Sequence, residues 1–365
     1  MSVTLTDYGN VSVNTLVKSN VSVNPSLFSV TLWTPSEIDL SVNSSSGAHL
    51  LKLFGQFNLS SVGTTPSTLA DFIYDASLGT VSSFSNYVNG TLGFTENFGS
   101  ISFSNLLSLL GVNGTSAQSA ALNSVFSGND VYHTSNDATG TNSVTVNLYG
   151  GNNTFYENHP LLQYNDIFYG GSSTGINTAV LPGNASNYTI SSSPVYDVNT
   201  GTSDLSGYTI TDKTGATNTL EVYQVERLQF ANTSLALDMA PTQSGGQAAE
   251  ILGAAFGTSA VSNTTYAGIA IKLFDSGQTM AQVAQLAVGT GLMPTSSNSA
   301  FVSAVWQNVV GSPIDPGNLA TFTGLLNNHT FTEASLLAMA ATTSINQTHI
   351  GLTGLATHGL EFLPA

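Results

Sequence analysis

The chain contains no cysteine and very few charged residues. The absence of cysteine excludes disulfide bonds and thiolate metal sites. Only 7% of the 365 residues are charged, against about 25% in ordinary soluble domains. Five of them are basic and 21 are acidic, giving a net charge of −16. With no basic surface to neutralise phosphates, we expect no nucleic-acid partner.

Long apolar runs and catalytic motifs are also missing. No apolar stretch of about 18 residues occurs, so we expect no membrane insertion. Met1 to Asn20 has neither the basic region nor the apolar region of a cleaved signal peptide. No G-x-S-x-G, H-E-x-x-H or phosphate-loop pattern occurs, and the six histidines form no i, i+4 pair. We therefore expect that the protein is not an enzyme.

Serine, threonine and asparagine are abundant, so short neutral side chains cover most of the surface. Such a surface repels its own copies weakly, which suits packed assemblies. The acidic excess favours divalent cations as bridges between copies, or simply keeps a free subunit soluble. Adaptation of a secreted protein to its environment would explain the same composition equally well.

Four glycine-rich segments lie between residues 127 and 180. They are Gly128-Asn129-Asp130-Val131-Tyr132, Tyr149-Gly150-Gly151-Asn152-Asn153-Thr154-Phe155, Tyr164-Asn165-Asp166-Ile167-Phe168-Tyr169-Gly170-Gly171 and Gly175-Ile176-Asn177-Thr178-Ala179-Val180. They resemble a degenerate form of the calcium-binding repeat of RTX-type proteins, G-G-x-G-x-D-x-U-x, where U is a large apolar residue. The run from Val225 to Asp238 resembles the phrase that commonly caps such repeat arrays.

This resemblance implies a weak calcium site. In the repeat, glycine allows tight turns, aspartate is a hard oxygen ligand and U fills the core. The metal ligands that we infer are Asp130, Asp137, Asp166, Asn153 and Asn177, the two asparagines standing where aspartate is expected. An amide oxygen carries no net charge, so calcium binding should be weak. The segment that brings His133 near Asp130 and Asp137 fits either a metal site or an ordinary polar turn, and we favour the turn.

Aromatic residues are concentrated in the same segment. They are Tyr132, Tyr149, Phe155, Tyr156, Tyr164, Phe168 and Tyr169. They fit either a face that stacks on sugars or the core of a β-roll or sandwich, and we favour the core.

The patterns predict an α+β fold with three segments. Residues 1–125 form a mixed β/α domain, 126–240 a degenerate β-roll or β-sandwich, and 241–365 a helical domain. Residues 1–45 alternate between apolar and polar positions, which predicts strands. These strands belong either to the first sheet of the domain or to a segment that pairs with an open sheet edge of a neighbouring subunit.

Helical periodicity predicts most of the helices. The candidates are 48–54, 67–74, 101–126 with a break at 111–114 and a new start at 119, 247–256, 266–274, 280–288, 300–310, 319–326 and 332–341. Thr279-x-x-Gln282 and Thr330-x-x-Glu333 have the form of capping boxes, and Asp315-Pro316 has the form of a helix start. Gly257, Gly289 and Gly311 are placed to end helices.

The RTX resemblance implies a bacterial protein exported by type I secretion, located extracellularly or at the cell surface. The tail from Thr357 to Ala365 would serve as an uncleaved secretion signal. Residues 241–365 resemble the helical domain of unassigned role that often ends such proteins. We expect a self-assembling structural protein of a surface layer, extracellular filament or biofilm matrix. Its partners would be copies of itself and cell-surface polysaccharide.

Two other functions remain open. One is a calcium-dependent adhesin or glycan-binding module that uses the same aspartates and aromatic side chains. The other is an enzyme with its site in residues 1–125, for which the sequence offers no motif.

Overall fold

The architecture was derived from a computed structural model, which describes residues 4–7, 25–44, 47–62, 65–72, 78–109, 115–134, 145–158, 165–171, 175–197, 202–213 and 218–365. The predicted α+β class is confirmed, with strands in the N-terminal and central regions and most helices toward the C-terminus. The chain divides into two compact units. Unit 1 comprises Met1–Thr189 and Ser193–Val225, and unit 2 comprises Ile190–Ser192 and Glu226–Ala365. Unit 1 thus contains the whole of the first predicted segment and most of the second.

The strands are β1 (Thr4–Asp7), β2 (Ser29–Trp33), β3 (Glu37–Ser44), β4 (Gly47–Phe57), β5 (Gly79–Val88), β6 (Thr91–Ser102), β7 (Val131–His133), β8 (Thr145–Asn147), β9 (Thr154–Tyr156), β10 (Asp166–Tyr169), β11 (Thr178–Val180), β12 (Tyr188–Asp197), β13 (Thr202–Asp212), β14 (Thr219–Tyr223), β15 (Arg227–Gln229), β16 (Ser234–Ala236) and β17 (Leu360–Phe362). In unit 1, nine of them are hydrogen bonded in the order β2-β3-β4-β5-β6-β1-β7-β9-β11. A second sheet has the order β12-β13-β14-β10-β8.

The helices are α1 (Phe103–Leu109), α2 (Thr115–Val125), α3 (Ser244–Phe256), α4 (Thr258–Val261), α5 (Thr264–Asp275), α6 (Met280–Gly289), α7 (Asn298–Val310), α8 (Pro316–Asn327), α9 (Glu333–Ala341), α10 (Ser344–His349) and α11 (Leu352–His358). In the part of the chain that is described, no helix is long and apolar enough to cross a membrane.

Strands β2 to β6 form an antiparallel meander. The β5–β6 hairpin turns at Asn89-Gly90, where both residues have positive φ, a conformation that Asn-Gly favours. The prediction of a helix over 48–54 is wrong, because this run lies within β4. Its side chains alternate between burial and partial exposure, and β3 and β5 hydrogen bond to its two edges. Pairing on both sides therefore overrides the helical spacing of its leucines.

Unit 2 starts with a hairpin and closes with the C-terminal tail. The capping phrase forms β15 and β16, and β17 pairs antiparallel with β16, with Ser234 opposite Phe362. Leu360 and Phe362 are buried, and the Thr233 hydroxyl donates to the Phe362 carbonyl over 3.0 Å. The tail predicted as a secretion signal therefore contributes a strand to the folded unit.

Buried charges tie the hairpin to helix α5. Arg227 is 5% exposed, and its guanidinium donates to the carboxylates of Asp238 and Asp275. Burial alone would disfavour a charged guanidinium, but the two carboxylates outweigh that effect and raise the pKa of Arg227. The ion pairs thereby keep a buried cation charged at the start of the unit.

Most of the helix N-caps predicted for unit 2 are present in the structure. The Thr279–Gln282 capping box and the Asp315 cap before Pro316 are both present. The other predicted capping box is wrong: Thr332, not Thr330, caps α9, and its box partner is Ser335. Thr330 instead donates to the Asn328 side chain.

Glycine ends two of the three helices for which this was predicted. Gly257 and Gly311 follow α3 and α7 with positive φ. Gly289 does not have this role, because α6 includes it and Thr290 is the cap.

Candidate functional site

The glycine-rich segments form a coil of parallel strands in unit 1. Strands β7, β9 and β11 stack in one sheet, and β8, β10 and β14 stack in the other. Val131 aligns with Thr154, and Thr154 aligns with Thr178, so successive coils are 23 and 24 residues apart. A hairpin of β12 and β13 is inserted before the last strand of the second stack.

Glycine is required where the turns of neighbouring coils touch. A Cβ atom on Gly151, whose φ is +80°, would lie 2.0 Å from the Gly128 carbonyl oxygen. A Cβ atom on Gly175 would lie 1.9 Å from the carbonyl oxygen of Gly151. Three turns therefore stack backbone against backbone, and no larger residue fits at these two positions.

Buried polar side chains link the coils in a column that we call the inner ladder, made of Asp130, Asn153 and Asn177. The backbone N–H of Asp130 donates to Asn153 Oδ1 over 2.9 Å. The backbone N–H of Asn153 donates to Asn177 Oδ1 over 3.0 Å. All three residues are fully buried. Each asparagine oxygen thus accepts a backbone N–H from the preceding coil, at a position inferred to be a metal ligand.

The side-chain nitrogens of the same two asparagines also donate hydrogen bonds. Asn153 Nδ2 donates to the Gly170 carbonyl over 2.6 Å, and Asn177 Nδ2 donates to the Gln224 carbonyl over 2.9 Å. A carboxylate has no N–H and could not make these bonds. Asparagine at 153 and 177 therefore has a structural role that aspartate cannot fill.

A second column, the outer ladder, runs along the exposed side of the turns and was missed in the sequence. Asn152 N–H donates to Asn129 Oδ1 over 2.9 Å, and Ile176 N–H donates to Asn152 Oδ1 over 2.8 Å. The signal that could have revealed it is the adjacent pair of polar residues at the same place in successive segments, Asn129-Asp130 and Asn152-Asn153.

Aromatic rings form the core of the coil. Tyr132 and Phe155 stack with ring centroids 5.6 Å apart, and Phe155 stacks on Phe168 at 5.0 Å. All three are 0% exposed. On the other face of these strands, half-buried His133 and Tyr156 stack at 4.5 Å. The buried rings fit the core interpretation, because a ring without exposed surface offers no face to a sugar.

Of the three aspartates predicted as metal ligands, the structure describes two, and these two lie at strands of different sheets. Asp130 directly precedes β7, whereas Asp166 begins β10, in register with Leu220 of β14. Both are buried. Asp137 lies outside the described residues. Within the described ranges, no three histidine or acidic side chains come together as a set of metal ligands.

Comparison of the chain with family models, with curated proteins and with solved structures found no match.

Proposed function

We propose that this chain is a secreted, non-catalytic structural protein of a bacterial cell surface, which assembles with copies of itself into a surface layer, filament or matrix. The parallel coil is the observation that supports this best. Its polar turn residues bond to neighbouring coils, and its aromatic residues pack inward. In such a segment, the polar turn side chains and the core rings are used for contacts within the fold, as expected of a structural element.

The scarcity of cations restricts how copies could contact one another. Lys52 pairs with Glu37 and Asp39, and Arg227 pairs with Asp238 and Asp275. Their positive charges are thus used within the chain.

Two further cations also bond within the chain. Lys213 donates to the Ser186 carbonyl, and Lys272 donates to the Ala365 carbonyl. A neutral carbonyl does not cancel the charge of an exposed lysine, but five basic residues against 21 acidic ones leave most of the acidic surface without a cationic partner on another copy. Copies would therefore associate through strand pairing, neutral hydrogen bonds, apolar contacts or bridging divalent cations.

Calcium is the proposed cation, with Asp130, Asp137 and Asp166 as its proposed ligands. Asp130 and Asp166 are buried, so an ion held by them would stabilise the coil of one copy, and calcium that bridges two copies would need exposed carboxylates. The acidic excess supplies the electrostatic attraction. The hydrogen bonds of Asn153 and Asn177 favour a ladder role for these two, which leaves the aspartates as the stronger candidates. Cell-surface polysaccharide remains a proposed second partner.

Sedimentation velocity of the purified chain at rising concentration tests the proposal, once with calcium and once with a chelator. We expect large species that grow with concentration. The variant Asp130→Asn, Asp166→Asn should lose them if calcium drives assembly, and the exposed Glu361→Ala is the matched control. Large species in all conditions would support assembly and refute the calcium mechanism. A monomer at every concentration would refute the proposed function and favour the adhesin prediction.

A further inference from the structure

The first strand of the chain occupies an unusual position in its sheet. Strand β1 lies between β6, to which it is antiparallel, and β7, to which it is parallel. Thr4–Asp7 pairs with Phe94–Asn97 on one side, and Thr4–Thr6 pairs with Val131–His133 on the other. Strand β1 therefore joins the meander to the coil by inserting between them.

The two strands that flank β1 do not depend on it for their connection. The chain runs from β6 through α1 and α2 to β7, so both edges are built by residues 91–133. Without β1, the facing edges of β6 and β7 would each leave backbone N–H and C=O groups unpaired. We call the space between these edges the slot. It accepts a strand on both sides, with one parallel and one antiparallel neighbour.

The segment between β1 and the rest of unit 1 is long enough for β1 to reach either its own unit or a second copy. Seventeen residues separate Asp7 from Pro25, as the numbering shows. When extended, they span up to about 60 Å. This length lets β1 enter the slot of its own unit or the slot of a second copy.

One buried side chain in the slot wall is poorly satisfied. Glu96 of β6 is in register with Leu5 of β1 and is 2% exposed. Within the described residues, its Oε1 has no hydrogen-bond partner. An unpartnered buried carboxyl oxygen is destabilising, and this cost is the same whether the slot holds the chain's own β1 or that of a second copy. Glu96 therefore gives neither occupant of the slot an advantage.

From this placement, we propose that β1 is an exchangeable strand, which leaves its own unit and fills the slot of a second copy of this chain. This inference rests on the proposed self-assembly and names its contact. A donor and an acceptor on every copy form a head-to-tail interface, which produces open chains when the rotation does not close. Strand pairing also needs no cation, in keeping with the charge composition.

Disulfide trapping tests the exchange, because the chain has no cysteine of its own. Thr6 and Thr95 are in register across β1 and β6. Chains that carry only Thr6→Cys are refolded together with chains that carry only Thr95→Cys, and then oxidised. A disulfide between the two chains is strongly favoured when β1 of one copy lies in the slot of another, because the two thiols are then held in register. Ser100→Cys replaces Thr95→Cys in the control mixture, since exposed Ser100 of β6 is not in register with β1.

Exchange predicts several-fold more cross-linked dimer in the Thr95 mixture than in the Ser100 mixture. A single chain with both Thr6→Cys and Thr95→Cys should give a ladder of linked multimers on a non-reducing gel. Large species in sedimentation together with only intrachain disulfides would refute strand exchange and leave the proposed function standing. Cross-linked dimers without larger species would support exchange and refute extended assembly. Neither cross-links nor large species would refute both.

Discussion

The substitution Asn153→Asp separates a structural ladder from a metal site, because the two interpretations predict opposite effects. Asn153 donates to the Gly170 carbonyl over 2.6 Å from a side chain that is 0% exposed. Aspartate would place a second acceptor against that carbonyl. It would also bury a carboxylate, unless the carboxylate takes up a proton. If Asn153 is instead a weakened calcium ligand, aspartate restores its charge and should strengthen the site.

The ladder predicts a large destabilisation of unit 1. Losing the hydrogen bond and leaving the Gly170 carbonyl unsatisfied costs about 1–3 kcal/mol, and burial of the carboxylate adds to this cost. We expect a total of about 3–5 kcal/mol. For a unit of this size, that corresponds to a fall in Tm of roughly 6–20 °C, at about 2–4 °C per kcal/mol.

Differential scanning calorimetry with calcium and with a chelator measures the effect. Asn152→Asp is the matched control, since Asn152 is the exposed neighbour and uses its oxygen as an acceptor, which aspartate retains. The control should cost less than about 1 kcal/mol, as expected of a surface substitution. An Asn153→Asp chain that is as stable as the parent, or that calcium stabilises, would refute the ladder.

The remaining predictions concern a buried acid, a helix contact and a turn. Burial raises the pKa of Glu96 from 4.5 to about 8, so the stability it contributes is fully present below pH 4.5 and is lost as the pH rises through 8. In urea unfolding, Glu96→Gln should therefore raise the free energy of unfolding by about 3 kcal/mol at pH 7, at about 1.36 kcal/mol per pKa unit. At pH 4 it should leave the free energy of unfolding unchanged. An equal effect at both pH values would contradict the raised pKa. Asn346 donates to the Glu250 and Ala341 carbonyls over 2.9 and 2.7 Å, so Asn346→Ala should destabilise unit 2 by about 2–3 kcal/mol, and circular dichroism melting that shows no change would contradict this. Gly175→Ala should lower the Tm of unit 1 by several degrees because its Cβ would collide with the Gly151 carbonyl of the preceding turn. Gly354→Ala, where an added Cβ would meet no neighbouring atom within 4 Å, should not lower the Tm of unit 2.

Local signals made the helical unit predictable. The pattern predicted a helix over 266–274, and α5 is Thr264–Asp275; it predicted 300–310, and α7 is Asn298–Val310. Their apolar spacing, their caps and the glycine after α7 all lie within a few residues of each helix. Such features can be found without knowing the rest of the fold.

Long-range pairing was not predictable in the same way. The partners of Asn153 and Asn177 lie 17 and 47 residues away, so the motif identified the residues but not their hydrogen bonds. The position of β1 depends on pairing with strands about 90 and 130 residues later in the chain. Strands β2 and β3, which follow β1 within residues 1–45, were predicted from the alternation of apolar and polar residues. Residues 8–24, over which part of this alternation runs, lie outside the described residues.

Negative-stain electron microscopy of the purified chain tests the central claim of self-assembly most directly. The account predicts sheets or filaments with a regular repeat at high protein concentration, and it predicts that the Thr95→Cys and Thr6→Cys chains, cross-linked together, appear within them. Monodisperse particles at every concentration, with calcium and with chelator, would contradict it.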